Sequence, residues 1–269
     1  MADGAGSRRA GRAIGATLVC VVIVAAMVGP VIAPYHPFVI SGGALLSPSR
    51  DHIMGTDAVG RDVFSAVLHG ARSSLVVATA VSVIALALGV SIGLVSGYRG
   101  GWIDDLLSRL TELFQVIPRF FFVITAIAIM GPGRTSLIVV IGLTSWPTLA
   151  RVVRGETLVT RRREFVVAAE ALGASPWRVM HRQLLPMVLP VSLAALGVLF
   201  GQVLLLEATI GFLGLGDPEA ISWGMMAAQA QGFLRIAWWL ALFPGLAITI
   251  TVLGVNLLAA SWASDRAAA

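Results

Sequence analysis

Residues 74–97 read SLVVATAVSVIALALGVSIGLVSG, twenty-four consecutive positions without a charge. A helix needs about 20 predominantly apolar residues to cross the hydrocarbon of a bilayer, so this stretch by itself separates a soluble chain from a membrane-spanning one. Working outward, five more stretches of the same kind appear. They cover 13–33, stopping at Pro34; 107–130, interrupted by Pro118-Arg119; 135–153; 187–210; and 236–260. Composition agrees. Of 269 residues, 57% are hydrophobic and 12% charged, where a soluble domain carries roughly 25% charged. A soluble enzyme and a disordered chain are excluded. The expected fold is an all-α integral membrane protein with six transmembrane helices. Its tails are 1–12 and 261–269, its first helix is 13–33, its extracytoplasmic segment is 34–73, and a five-helix core fills 74–260.

Charge sets the orientation. Arg8, Arg9 and Arg12 would suit a signal peptide, but the apolar run after them is too long and Pro30 and Pro34 occupy the cleavage region. A retained helix is expected. With the N-terminus inside, thirteen of the nineteen basic residues fall on inner loops and helix ends, five fall outside, and Arg119 stays within a span. By the positive-inside rule this predicts N-in and C-in. The same rule accounts for the net charge of +5 without a nucleic-acid partner. All nineteen basic residues are Arg. With no Lys there can be no Gly-Lys-[Ser/Thr] phosphate loop and no Schiff-base lysine, so ATP chemistry would have to reside on another chain. Cys20 is the single cysteine, which allows no intrachain disulfide. The histidines, at 36, 52, 69 and 181, lack metal-ligand spacing, so neither a metal site nor a cofactor is expected.

The inner connection 154–186 is the long one, and it is structured. Phe165, Ala168, Ala169 and Leu172 recur at i, i+3, i+4 and i+7, one stripe of a helix. Gly173 follows where a C-terminal cap wants positive φ, and Ser175-Pro176 reads as N-cap and first helical residue. Two short helices with a sharp elbow are expected, ended by Pro186 and Pro190. One reading is an amphipathic segment on anionic lipid. The small side chains of the stripe favour another, close approach of a second protein.

The stretch Val167-Ala168-Ala169-Glu170-Ala171-Leu172-Gly173, thirteen residues before Pro186, resembles the "EAA" loop of ABC-importer permeases. That pattern runs Glu-Ala-Ala, three residues, Gly, then a spacer ending in Ile-x-Leu-Pro. Val167 stands where Glu is usual and Gln183 where Ile is usual; Glu164 or Glu170 is the candidate to supply the carboxylate. The resemblance continues in the 52–62 segment His-Ile-Met-Gly-Thr-Asp-Ala-Val-Gly-Arg-Asp and in Gly97-Tyr-Arg-Gly-Gly-Trp-Ile-Asp. Gly131-Pro-Gly, Thr144-Ser-Trp-Pro, Phe212-Leu-Gly-Leu-Gly, Ser222-Trp-Gly and Trp239-Leu-Ala-Leu-Phe-Pro-Gly extend it. Over about residues 50–260 the chain is similar to the "C" permeases of dipeptide and oligopeptide importers (DppC/OppC-like).

That resemblance implies a type I ABC-importer permease (MetI-like) fold in the bacterial cytoplasmic membrane. It also implies a non-catalytic subunit that carries di- or oligopeptides. Nickel, haem and glutathione are the alternatives within the family, and a self-sufficient secondary transporter is the alternative outside it. The implied partners are a homologous second permease (DppB/OppB-like), two cytoplasmic ATPases that bind the ATP and Mg, and an extracytoplasmic substrate-binding protein. The implied ATPase-docking residues are Arg163, Glu164, Ala168, Ala169, Glu170, Leu172, Gly173 and Pro186.

Other polar residues keep two readings. Arg119 either snorkels to the inner headgroups or faces a path or subunit interface. Glu207, with Gln202 one turn below, either satisfies a neighbouring helix or faces the path. Asn256 reads as an interhelical hydrogen bond. Ser145, Trp146 and Pro147 interrupt the fourth span and are candidates to line a path. Asp57, Arg61 and Asp62 form either a self-satisfied turn or a contact for the binding protein.

Overall fold

Pro118 decides the least expected feature of the fold. In the computed structural model, which describes residues 3–267 and the side chains of 10–261, Gly101–Val116 (α3) and Arg119–Met130 (α4) meet at 81°. Proline disfavours the α region for the residue before it. Ile117 is accordingly extended (φ −73°, ψ 123°) and Pro118 follows it (φ −59°, ψ 110°). The expected third span is therefore two helices at nearly a right angle, not one interrupted helix.

The other long helices are Asp3–Ile32 (α1), Val63–Arg99 (α2) and Arg134–Thr160 (α5). Glu164–Ala171 (α6) and Pro176–Val179 (α7) follow, then a π turn (Met180–Leu184), Leu185–Phe212 (α8), Trp223–Ala230 (α9) and Trp239–Ala267 (α10). Five stretches are long and apolar enough to cross a membrane (10–32, 63–99, 134–160, 176–212, 239–261), and the bent α3–α4 pair makes a sixth. Two isolated bridges, Ile40↔Arg61 and Thr56↔Asp62, are the extended pairings among the described residues.

Two further expectations are corrected. Pro147 does not interrupt the fourth span, because α5 runs through it. In the turns before it the Thr144 hydroxyl donates to the carbonyls of Val140 and Ile141, and that of Ser145 to Ile141. Pro186 and Pro190 do not end the second loop helix either. Pro186 lies at the start of α8, just after the π turn. The preceding π turn carries the chain across, with Leu185 N donating to the Met180 carbonyl. Residues 176–212 are thus one continuous apolar helix.

α2 and α5 lie parallel and touch through glycine. A Cβ on Gly89 would fall 2.6 Å from that of Leu149, one on Gly93 2.5 Å from the Ala150 carbonyl oxygen, and one on Gly97 2.7 Å from the Cβ of Thr157. α1 packs antiparallel on α10, Gly15 against Leu257 and Gly254 against Leu18. Both described ends of the chain therefore reach the end of the bundle that carries α6. The tail residues that entered the charge count, Arg8, Arg9 and Arg266, lie outside the described side chains, as do residues 1, 2, 268 and 269 altogether.

Two apolar clusters fill the interior. The larger joins α1, α2, α4, α5, α8, α9 and α10. The smaller, at the α6 end, gathers Leu94 and Tyr98 of α2, Val153 of α5, Val166 of α6, and Val179, Met180, Leu184 and Val188.

Candidate functional site

α6 is held at the bundle end by a single enclosed side chain. Val166 is buried, while Phe165, Val167, Ala168 and Leu172 are exposed. The stripe expected from periodicity forms, and it faces away from the bundle. Leu172 is 89% exposed, and Ala169 lies half-buried at the edge of the stripe. Arg163 is the N-cap residue, and Glu164 occupies the first turn, where its charge suits the helix dipole.

The elbow is closed from both sides. Gly173, at φ +81°, donates to the Glu170 carbonyl, and Ala174 N donates to that of Ala169 (2.9 and 3.0 Å); this pair of bonds is a Schellman cap. Ser175 Oγ accepts from Arg178 N, with Pro176 at the start of α7. Beyond it Trp177, 69% exposed, stacks on His181 at 3.6 Å between ring centroids.

Two side chains that sequence reasoning did not single out, Asp104 and Tyr98, brace this end. The Asp104 carboxylate of α3 accepts from Arg154 Nε (2.6 Å) and Nη2 (2.7 Å) of α5, and from the hydroxyls of Ser96 and Ser108. Arg161 lies 5.4 Å over the Tyr98 ring, and Glu170 of α6 approaches the Tyr98 hydroxyl. Glu170 thereby meets the end of α2 from the loop helix. Tyr98 and Asp104 both lie within Gly97-Tyr-Arg-Gly-Gly-Trp-Ile-Asp, which was the available signal for them.

Within the bundle the five residues named for a path do not share one surface. Arg119 Nη2 donates to Ser145 Oγ, and this pair sits at the α3–α4 break. Trp146 is buried edge-on against Phe114, 5.5 Å between centroids. Glu207 is buried between α2, α8 and α9. It accepts from Ser74 Oγ (3.3 Å) and hydrogen-bonds the Ser222 side chain, while Trp223 N donates to Ser74 Oγ (3.2 Å). Gln202 is exposed on α8. Asn256 Oδ1 is enclosed without a partner among the described residues.

Comparison with known proteins places this architecture. Residues 89–264 match the family model described as the binding-protein-dependent transport system inner membrane component. The chain belongs to that family. It is a permease subunit of an ABC importer and a multi-pass inner-membrane protein. A Brucella suis permease protein, named provisionally for peptide transport, is 37% identical over 253 residues, covering 93% of this chain and 85% of that protein. The dipeptide transport system permease protein DppC of Alkalihalophilus pseudofirmus is 36% identical over 215 residues, 80% of this chain and 71% of that one. The glutathione transport system permease protein GsiD of Pectobacterium atrosepticum is 35% identical over 212 residues, 78% and 70% respectively. Among solved structures, a chain of the MetNI methionine ABC transporter in an inward facing conformation superposes with a TM-score of 0.58 at 20% identity. It covers 73% of this chain and 96% of that chain, a likeness of fold.

At the opposite end of the permease the 34–62 segment folds on itself. Asp62 caps α2, its Oδ2 accepting from Ser65 N and Oγ (2.8 and 2.7 Å) and its Oδ1 meeting His52 Nδ1 at 2.9 Å. Asp57 Oδ1 accepts from Val59 N and Arg61 N, and the Arg61 guanidinium lies 5.7 Å over Phe38. The carboxylates of the expected cluster are thus bound to their own segment. Trp239 Nε1 donates to the Thr56 carbonyl (3.1 Å) and pins the segment to α10. Among the described residues no group of three or more His, Cys, Asp or Glu could hold a metal.

Proposed function

We propose that this permease moves di- or oligopeptides across the cytoplasmic membrane, driven by ATP that two separate cytoplasmic ATPase subunits bind with Mg and hydrolyse. A homologous second permease would complete the path, and an extracytoplasmic substrate-binding protein would deliver the cargo. The names of the relatives support the cargo class: peptide, dipeptide and glutathione, itself a peptide. The missing Lys supports the division of labour, since this chain has no phosphate loop of its own.

The observation that carries the coupling reading is the build of the α6 end. A short helix presents Phe165, Ala168 and Leu172 outward, is capped at its elbow, and connects through α7 and the π turn to α8 without a break. Force applied to the exposed face of α6 reaches the membrane interior through a continuous helix, the mechanical link that alternating access requires. Small side chains at 168 and 169 let a partner's groove approach closely. The contribution of this chain is to transmit that movement, not to catalyse.

Reconstitution with the neighbouring ATPases, second permease and binding protein tests the reading. Ala169→Arg should abolish substrate-stimulated ATP hydrolysis while leaving membrane insertion intact; unchanged stimulation would remove the coupling assignment. Competition for the binding protein among dipeptides, oligopeptides, glutathione and nickel decides the cargo, and a preference for nickel would overturn the peptide reading.

A further inference from the structure

Arg119 carries a charge at membrane depth with no opposite charge beside it. α4 has 12 residues, which at 1.5 Å per residue sets Arg119 about 18 Å from the far end of the helix, inside a hydrocarbon layer about 30 Å thick. Its hydrogen bond goes to the neutral Ser145 hydroxyl, which already donates to the Ile141 carbonyl. Its Nε is enclosed without an acceptor among the described residues, and the ion pairs found among those residues join other groups. Gln115 Nε2, one turn earlier on α3, is a second enclosed donor without an acceptor among the described residues. α4 itself begins at Arg119 without a side-chain cap. The two enclosed side-chain groups left unmet at the break, Arg119 Nε and Gln115 Nε2, are thus both donors.

The guanidinium borders a cavity of about 230 Å³ whose other walls are Leu113, Phe114, Ile117, Phe122 and Thr144. A guanidinium fork matches a carboxylate with two parallel bonds, and the leucine and phenylalanine walls match an apolar group attached to it. We propose that Arg119 is a binding site for a carboxylate borne on an apolar body, and that the carboxylate is the free C-terminus of the cargo. The second clause rests on the peptide reading above; the first does not. A fatty acid of the membrane presents the same chemistry, so the test has one arm for the site and one for the source.

The first arm measures binding of 11-(dansylamino)undecanoic acid and of its methyl ester to the assembled transporter in nanodiscs, with empty nanodiscs as blank. A charge-assisted pair predicts an acid preference of about tenfold or more. It should vanish in Arg119→Gln and persist at reduced size in Arg119→Lys, which keeps the charge without the fork and so separates loss of the site from loss of the fold. No preference in the wild type, or an equal preference in Arg119→Gln, overturns the proposal. The second arm measures uptake of trileucine and trileucine amide at matched occupancy of the binding protein. The wild type should favour the free acid, and Arg119→Gln should bring the two rates together by slowing the acid alone. If the first arm holds while Arg119→Gln leaves the acid-to-amide ratio unchanged, the carboxylate is a lipid's and the cargo assignment falls. If the wild type imports neither peptide, the peptide reading fails while the first arm still decides the site.

Discussion

Replacing Val166 by Ala should loosen α6 without touching the surface that α6 presents. Val166 is 0% exposed, whereas its neighbours Phe165 and Val167 are 41% and 53% exposed, so this side chain supplies most of the apolar attachment of the helix. The substitution removes two buried carbons, about 1.6 kcal/mol at about 0.8 kcal/mol each, before any cavity term. Against a thermal energy of about 0.59 kcal/mol, that raises the undocked fraction of α6 about 15-fold. Amide hydrogen exchange in the assembled transporter reads this directly. Protection over residues 165–171 should fall about 15-fold while α5 stays unchanged. The ATP hydrolysed per substrate imported should rise, because force on a loosened helix is lost before it reaches α8. Unchanged exchange would show that Val166 is not the anchor. Faster exchange with an unchanged ATP-to-substrate ratio would show that α6 does not transmit the force.

Three further outcomes follow from the geometry. Gly93→Val places its Cβ 2.5 Å from the Ala150 carbonyl oxygen and 2.7 Å from the Val153 Cβ, so the α2–α5 contact must open. A loss of about 3 kcal/mol should appear as a lower thermal transition of the purified complex, and a wild-type transition would refute the contact. Asp104→Asn, Arg154→Gln and the double variant form a cycle whose coupling should be about 1.5 kcal/mol for a half-buried bidentate pair; additive effects would mean the pair is not formed in the membrane. Gly173→Ala meets no neighbouring atom, yet keeps a φ of +81°. It should cost about 1 kcal/mol at the elbow and reduce substrate stimulation of the ATPase, while Gly155→Ala, in open space on helical backbone, serves as control.

What could be read from the sequence was what is local. Uninterrupted apolar runs found the spans, and Gly173, Ser175 and Pro176 found the elbow, because caps and helix periods depend on residues a few positions apart. Periodicity also found the stripe on α6, but a period does not say which side of a helix is covered. Val166, on the other side, is what the bundle buries. Proline was the weakest guide. Pro118 turns the chain by 81°, whereas Pro147 and Pro190 lie inside continuous helices. Residue type alone therefore does not say which proline ends a helix. Arg154 entered the sequence argument only as one positive charge among thirteen, because its partner Asp104 is 50 residues away. Glu207 depends on Ser74, 133 residues away, a pairing that no local pattern reports.

The glycines that let α2 and α5 touch have a consequence for motion. Where the glycine backbone of α2 carries the Leu149, Val153 and Thr157 side chains of α5 directly, those side chains have no facing layer that can repack as the helices slide. Any relative shift must lift one whole helix off the other. These two helices therefore travel as one body through the transport cycle, and spin labels on their outward faces will keep a constant separation in the resting and ATP-bound states. The distances that change will be those from this pair to α8 and α10.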